Sequence, residues 1–281
     1  MCNFDTPTYI YYSHIAVFAM CILTAFLILF RKRKEASNRN AFYFIILMAL
    51  LVADIFGQWT IHNVALNMFI VKMSIPMVAL TALFFLYFSY YFTQRKIELK
   101  NRLLMAIPCF ILIILSFTRY AFDVFNVSDC FYALGKGISF YSYIIDIIYA
   151  VWASAVLLKY YRKPDGNLLI QNPIKFLVPA LGFFIAWNII FGEIDRISFY
   201  SNTYIESTPH FITGTLFFIS IIAFAIIKKD FFEFPVVITS HYTVVVWTLI
   251  FLGFIFFYSN LTLIALAVIF YIILMYIFWK M

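Results

Sequence analysis

Charged residues are scarce in this 281-residue chain: they make up 12% of it, whereas 65% of the residues are hydrophobic and 22% are aromatic. The mean hydropathy is +0.97. An ordinary soluble domain carries about 25% charged residues and keeps its exposed apolar patches small. The composition therefore excludes such a domain and predicts a protein of the lipid bilayer.

Cysteine, histidine and glycine are also scarce, and each scarcity argues against one kind of site. The four cysteines and four histidines form neither a CxxC nor an HExxH pattern, so the sequence offers no ligand set for zinc. The eight glycines include no phosphate-binding loop, and no DxxxD-like pair of acids is present. We therefore expect no enzyme activity, no metal and no cofactor.

Long apolar stretches fill most of the chain, and each is long enough to cross a bilayer as a helix. A spanning helix needs about 20 mostly apolar residues, and continuous runs of this length do not suit a β-barrel. The sequence predicts an all-α, polytopic transmembrane bundle of about nine spans, in which residues 1–235 form a seven-helix bundle and residues 236–281 an additional two-helix hairpin. The predicted spans are 8–30, 41–62, 66–93, 103–121, 138–161, 173–193, 209–228, 238–258 and 261–280.

The basic residues lie mainly in alternate connectors. Of the 20 Lys and Arg, 16 fall on one side, whereas Arg119, Lys136 and Arg196 fall on the other and Lys72 lies within a span. The positive-inside rule then predicts a multi-pass protein of the cell membrane with its N-terminus outside and its C-terminus in the cytoplasm. The net charge of +7 follows from this topology and from attraction to anionic lipid, so we expect the bilayer as a partner and no nucleic acid.

Three ionisable side chains lie well inside predicted spans: Asp54, Lys72 and Asp146. Such residues cost about 2.5–3.5 kcal/mol at the bilayer centre, so they usually face a bundle interior or a cavity. Counting from the outer connectors places all three roughly 10–12 Å below the outer surface. The matched depth on consecutive antiparallel helices predicts an ion pair between Asp54 and Lys72.

Other polar residues extend this group toward the outer surface. Gln58 and His62 follow Asp54 at i+4 and i+8, which places the three on one face of a helix. Trp187 and Glu193 lie at the outer end of the sixth span. Alternatives to a ligand pocket are a structural ion pair, with Asp146 bonded to a tyrosine, and an ion or proton path. The predicted ligand-binding residues are Asp54, Gln58, His62, Lys72, Asp146, Trp187 and Glu193.

One stretch combines an aromatic helix, a threonine, a basic turn and a proline-bearing helix: Leu83-Phe-Phe-Leu-Tyr-Phe-Ser-Tyr-Tyr-Phe-Thr-Gln-Arg-Lys followed by Asn101-Arg-Leu-Leu-Met-Ala-Ile-Pro108. With the exit Ile226-Ile-Lys-Lys-Asp-Phe-Phe-Glu-Phe-Pro235, it resembles the N-terminal seven-transmembrane sensor region of bacterial and archaeal histidine kinases, over about residues 8–235. After Pro235 two apolar spans stand where such a kinase continues into its phosphorylatable-histidine and ATP-binding regions. The resemblance therefore implies a sensor module whose output lies in a partner or in a portion not present.

Two classes of function remain. As a sensor or receptor, the chain would bind a small or lipid-like ligand in its outer half and relay to a cytoplasmic signalling partner, with a homodimer left open. The alternative is a small-molecule or ion transporter or channel, which needs a path through the inner half too. Transporters often show inverted repeats, and no paired halves are visible in this sequence, which favours the sensor.

Overall fold

The computed structural model describes residues 8–31, 35–126, 131–163 and 171–186, together with 214–215, 218–219 and 221–222. Long helices dominate it. Residues 171–186 form a helix that we call α6, and the helical residues 214–215, 218–219 and 221–222 are called the seventh segment. The first five helices are α1 (Thr8–Arg31), α2 (Ala36–Thr60), α3 (Val64–Phe92), α4 (Leu99–Ser116) and α5 (Lys136–Tyr161).

Four of these helices, α2 to α5, are long and apolar enough to cross a membrane, and α1 contributes the shorter apolar stretch His14–Phe30. Their outward faces carry large apolar side chains such as Phe30, Phe110 and Ile114, as a lipid environment requires. The prediction of a helical membrane bundle is therefore confirmed. The predicted spans 238–258 and 261–280, and with them the hairpin 236–281, lie outside the described residues.

Contacts between neighbouring helices define their directions. α1 to α6 alternate in direction, so that α1, α3 and α5 end, and α2, α4 and α6 begin, at one end of the bundle, which we call the basic end. The opposite end is called the hairpin end. The contacts that show this are the ring pairs Tyr11–Phe56 (5.6 Å), Phe26–Phe42 (5.7 Å) and Tyr43–Phe84 (5.5 Å), and the hydrogen bonds from Tyr87 to the Arg102 carbonyl, from Tyr149 to the Met105 carbonyl and from Gln171 to the Lys163 carbonyl.

The start of α2 differs from the prediction. The helix begins at Ala36 rather than at residue 41, because polar residues of its first turns bond within the turn itself. The Asn40 amide donates to the Ala36 carbonyl at 2.6 Å, and the Ser37 hydroxyl donates to the Glu35 carboxylate at 2.8 Å. Ser37, Asn38 and Asn40 are buried, although their polarity is typical of a connector.

A β-hairpin that the sequence reading did not predict joins α4 to α5. After a 3₁₀ turn at Arg119–Ala121, strand β1 (Phe122–Asn126) pairs antiparallel with β2 (Phe131–Leu134). The Asp123 carboxylate accepts a hydrogen bond from the Lys136 backbone N–H, which starts α5. A Cβ at Gly135 would overlap the Tyr120 carbonyl oxygen, so this position needs glycine. The hairpin is thereby fixed against the first turn of α5.

Tyrosine hydroxyl groups attach α4 to its neighbours. α4 buries few side chains, and the acceptors on it are backbone carbonyls spaced three residues apart, which lie on one face of the helix. Because a short helix with a mostly lipid-facing surface gains little from apolar packing, these bonds matter to its position. The three bonds run from Tyr87 of α3 to Arg102 at 2.6 Å, and from Tyr149 and Tyr141 of α5 to Met105 and Pro108.

Four phenylalanines meet where α2, α3, α6 and the seventh segment converge. Phe218 stacks on Phe184 with ring centroids 4.8 Å apart, meets the ring of Phe44 edge-on at 5.8 Å, and lies 5.3 Å from Phe85. Such aromatic pairs contribute about 0.5–1.5 kcal/mol beyond the area they bury. This phenylalanine cluster is the point at which the seventh segment is joined to the bundle.

The alternation of the helices makes the predicted topology testable with exposed positions at each end. In a background whose own cysteines are replaced by serine, we expect a membrane-impermeant thiol reagent to label Lys136→Cys at the hairpin end of intact cells and to spare Lys96→Cys at the basic end. Both sites should react once the membrane is opened. Labelling of position 96 alone in intact cells would contradict the orientation.

The tyrosine bonds to α4 give a second expectation. Tyr149→Phe removes one hydroxyl and leaves the ring, so the free energy of unfolding should fall by about 0.5–1.5 kcal/mol. The control is Tyr160→Phe on the same helix, whose hydroxyl makes no hydrogen bond within the described residues and whose removal should change little. Denaturation of the purified chain in a detergent series measures both, and equal losses would show that the bond to α4 contributes nothing.

Candidate functional site

Asp54 and Gln58 form the centre of the candidate site. The Gln58 amide donates to the Asp54 carboxylate at 2.7 Å, one turn away on α2, so the predicted polar face of this helix is present. Asp54 is buried, with 8% of its surface exposed. His62 lies just beyond the end of α2 and is exposed, which places it at the rim of the hairpin end rather than within the bundle.

Asn67 joins the loop between α2 and α3 to this pair. Its amide donates to the Gln58 carbonyl at 2.8 Å and to the Ile61 carbonyl at 3.1 Å, and only 1% of its surface is exposed. The Gln58 carbonyl belongs to the last turn of α2 and Ile61 directly follows the helix, so both lie where the helix supplies no donor of its own. Asn67 therefore fixes the position of Gln58 relative to α3.

His14 of α1 lies at the same depth as Asp54. The ring pairs Tyr11–Phe56 and Phe26–Phe42 align the antiparallel helices α1 and α2, and this alignment sets His14 opposite residues 53–54. The His14 ring lies 6.1 Å from that of Phe56, and the side chain is 1% exposed. Three helices thus place polar side chains at one level of the bundle, and we call the residues His14, Asp54, Gln58 and Asn67 the hairpin-end cluster.

Lys72 takes a different partner from the one predicted. Packing of Ile70 against Gly57 confirms that Asp54 and Lys72 lie at the same depth. The Lys72 ammonium, however, lies over the ring of Phe122 in the β-hairpin, 5.7 Å from its centroid, while Gln58 is the donor to Asp54. The predicted ion pair is therefore wrong for the structure that is observed.

The reason is the direction in which the Lys72 side chain leaves α3. Asn67 and Ile70 face α2, whereas Phe69, which packs on Phe117 at 6.1 Å, and Lys72 lie three residues apart on the face turned toward the end of α4 and the hairpin. Equal depth does not bring two side chains together when they lie on different faces of a helix.

Asp146 lies deeper in the bundle than the sequence predicted. The indole N–H of Trp152 donates to the Tyr90 hydroxyl at 3.0 Å, which aligns the parallel helices α3 and α5 and sets Asp146 opposite Phe84. On α3, Phe84 lies twelve residues past Lys72, which corresponds to about 18 Å toward the basic end. When α5 is aligned with α3 through the contacts that both make with α4, Asp146 lies about 9 Å past Lys72 in the same direction. Asp146 therefore does not share the depth of Asp54 and Lys72, because the base of the β-hairpin, where Phe122 pairs with Leu134 just before α5, lies beside Lys72 rather than at the first residue of α3.

Trp187 and Glu193 lie outside the described residues. Sequence reasoning missed His14 and Asn67 as members of the site. For His14 a signal existed, since Val17, Cys21 and Ala25 continue its face at helical spacing and are buried with it.

The hairpin-end cluster offers carboxylate, amide and imidazole groups among apolar helices. Within the described residues, no group of three or more His, Cys, Asp and Glu side chains could hold a metal ion. An apolar surrounding with a few convergent polar groups is the usual composition of a site for an organic ligand. Groups of these kinds hold an organic ligand by hydrogen bonds and by charge.

The helices, their lipid-facing surfaces and the hairpin-end cluster define a multi-pass helical membrane protein. Residues 13–235 match the family described as the N-terminal 7TM region of histidine kinase, and the chain belongs to that family. No curated protein and no solved structure gives a significant match. The resemblance stated from the sequence is confirmed, and the chain contains the membrane sensor region of these kinases.

The separate partners of Asp54 and Lys72 lead to an expectation for stability. Because the two side chains do not contact each other, the losses in free energy of unfolding caused by Asp54→Asn and by Lys72→Met should add in the double variant, within about 0.5 kcal/mol. Thermal or detergent denaturation of the three variants measures this. A double variant that is no less stable than the less stable single variant would show that Asp54 and Lys72 form an ion pair after all.

Proposed function

We propose that this sensor module binds a small or lipid-like ligand at the hairpin-end cluster and relays its presence to a signalling partner at the basic end. The family supports a membrane sensor, and the cluster supports the place of binding. We leave Lys72 and Asp146 out of the proposed pocket, because the first faces the hairpin and the second lies deeper.

The buried carboxyl group of Asp54 is the observation that carries the proposal. Within the described residues Gln58 is its one hydrogen-bond donor, although a carboxylate has about four acceptor positions. A buried carboxylate without sufficient partners is costly, and an ionisable residue inside a membrane span is usually functional. A ligand that donates hydrogen bonds to the Asp54 carboxylate would supply the donors that α2 and α3 lack.

The chemistry of the cluster limits the ligand class. Asp54 is an acceptor when it is ionised, so it favours an ammonium, amide or hydroxyl group on the ligand. The neighbouring α1 and α2 side chains are apolar or aromatic, including Phe56 and Tyr11, and they favour an apolar body. A small amphiphile with one donor group fits both requirements.

The phenylalanine cluster provides a route for the relay. Phe44 lies ten residues from Asp54 on α2, about 15 Å toward the basic end, and it contacts the ring of Phe218. A ligand that shifts α2 against α3 therefore acts on the contact that holds the seventh segment. Packed aromatic interfaces of this kind move between discrete arrangements, which suits a switch.

A transporter would need a polar path from the hairpin-end cluster to the basic end. Toward the basic end α3 instead buries Phe85, Phe88 and Phe92, whose neighbouring rings pack 5.8 and 5.2 Å apart. These rings support a sensor over the transporter that the sequence left open. Flux measurements in liposomes distinguish the two.

Ligand binding at the cluster is tested first by native mass spectrometry of freshly extracted protein, and then by thermal-shift measurements with amines, amides and lipid-like amphiphiles. A ligand at one hundred times its Kd should stabilise the chain by about 2.7 kcal/mol. Asp54→Asn removes a charge-assisted bond worth about 1.5–3 kcal/mol, so the affinity should fall roughly 10- to 100-fold.

The matched control is Asp123→Asn, the same substitution at an exposed position of the same end. It should leave the shift unchanged, as should Asp146→Asn, because Asp146 lies deeper. Equal weakening by all three substitutions would show that binding does not occur at the cluster. If liposomes that contain the protein pass solutes, and this flux is lost in Asp54→Asn, the protein is a transporter rather than a sensor.

A further inference from the structure

A groove runs between α5 and α6 on the surface of the described bundle. It encloses about 370 Å³, which lies within the usual range of about 300–1,000 Å³ for a ligand site. Apart from one serine hydroxyl, its lining is apolar, and small residues form much of it. The lining includes Ile147, Ala150, Ser154, Ala155 and Leu158 of α5 and Gly182 of α6.

Small side chains create this groove. Ala150, Ser154 and Ala155 line it opposite Gly182, and a Cβ at Gly182 would meet no atom of the described residues within 4 Å. Val151 borders the groove and is 63% exposed. The space is therefore open to a molecule that reaches it from the membrane.

The groove has the length of one leaflet of a bilayer. On α5 it extends from Ile147 to Leu158, which corresponds to about 16 Å along the helix axis. Half of the hydrocarbon core of a bilayer is about 15 Å thick. Because Leu158 lies close to Tyr161, the last residue of α5, the groove occupies the leaflet at the basic end.

Cations follow the groove on α5. Arg162 lies four residues past Leu158, and Lys159 lies four residues past Ala155, so both continue the face of the helix that lines the groove. Both side chains are exposed, and neither forms an ion pair within the part of the chain that the structure describes. Their positive charge thus lies just past the apolar part of the groove, toward the basic end.

Lys175 adds a third cation from α6. It precedes Gly182 by seven residues, or two turns, and therefore lies on the same face of that helix. Its ammonium lies over the Tyr161 ring, 5.9 Å from the centroid, and the Gln171 amide donates to the Lys163 carbonyl at 2.7 Å. These contacts join the end of α5 to the start of α6, so cations of both helices lie at one end of the groove.

We propose that the groove binds one acyl chain of an anionic phospholipid from the leaflet at the basic end, with the phosphate of this lipid among Lys159, Arg162 and Lys175. The apolar groove and its cationic end match the two parts of such a lipid. Basic pockets between transmembrane helices are typical sites for anionic lipid head groups. The site shares no residue with the hairpin-end cluster and lies toward the opposite end of the bundle.

A helix of a second copy or of another part of this chain fits the groove less well than an acyl chain does. A helix is about 10–12 Å across with its side chains, so a segment 16 Å long occupies at least roughly 1,200 Å³. This is about three times the volume of the groove, so a helix would lie over its rim rather than within it.

Photo-crosslinking identifies the occupant in the full chain, reconstituted in nanodiscs of phosphatidylglycerol and phosphatidylcholine. A photoreactive amino acid in place of Val151 should capture phosphatidylglycerol in preference to phosphatidylcholine. The control position is Phe110, 57% exposed at a similar depth on α4, where the two lipids should be captured in proportion to their abundance. Capture of a second copy or of another part of the chain at position 151, or equal ratios at both positions, would overturn the proposal.

Filling the groove should release the lipid. Gly182→Leu places a side chain in the open space, and the control Gly137→Leu makes the same change at the start of α5, where a Cβ also meets no described atom within 4 Å. Native mass spectrometry of protein released from these nanodiscs should show one bound phosphatidylglycerol in the native chain and in Gly137→Leu, and its loss in Gly182→Leu. Retention of the lipid in Gly182→Leu would contradict binding in the groove.

The cationic end is tested by the choice between the two lipids. Lys159→Gln together with Lys175→Gln should lower the preference for phosphatidylglycerol by about fivefold for each lysine removed. The control pair, Lys96→Gln with Lys100→Gln, removes two exposed lysines at the same end of the bundle and should leave the preference unchanged. Equal losses for both pairs would show a general attraction to the membrane surface in place of a defined site.

Discussion

In a bilayer the protein must satisfy its own backbone hydrogen bonds, and this constraint governs the described part of the chain. Within a helix the backbone N–H and C=O groups bond to each other, except at the helix ends, where side chains supply the missing partners. Asn67 donates to two carbonyls at the end of α2, those of Gln58 and Ile61, and Asn63 accepts from the Leu66 N–H at the start of α3. Asn63 and Asn67 therefore satisfy backbone groups that α2 and α3 leave open where the two helices meet.

The long helices could be predicted from the sequence because a bilayer demands continuous apolar runs. Two features could not. Ser37, Asn38 and Asn40 have the polarity of a connector, and only their bonds within the first turns of α2 show that the helix begins at Ala36. The β-hairpin was missed because its two strands are too short to display a period of their own between two spans.

For the candidate site, helical periodicity correctly placed residues of one helix relative to each other, but it could not place residues of different helices. It placed Asp54 and Gln58 on one face, as observed. It could not give the rotation of α3, which turns Lys72 toward Phe122, or the starting level of α5, which takes Asp146 deeper. Both depend on tertiary contacts of the hairpin and of the tyrosines, and these contacts leave no local pattern in the sequence.

The spacing of the bonds on α4 has a mechanical consequence. Its acceptor carbonyls at Arg102, Met105 and Pro108 face hydroxyls that are fixed on two other helices. A shift of α4 along its axis by one residue, about 1.5 Å, would bring to the level of each hydroxyl a carbonyl that points about 100° away from it, and the next equivalent match lies about one turn, or 5.4 Å, further on. α4 thus has a small set of discrete axial positions rather than a continuous range, so any axial motion of this helix must occur in whole steps.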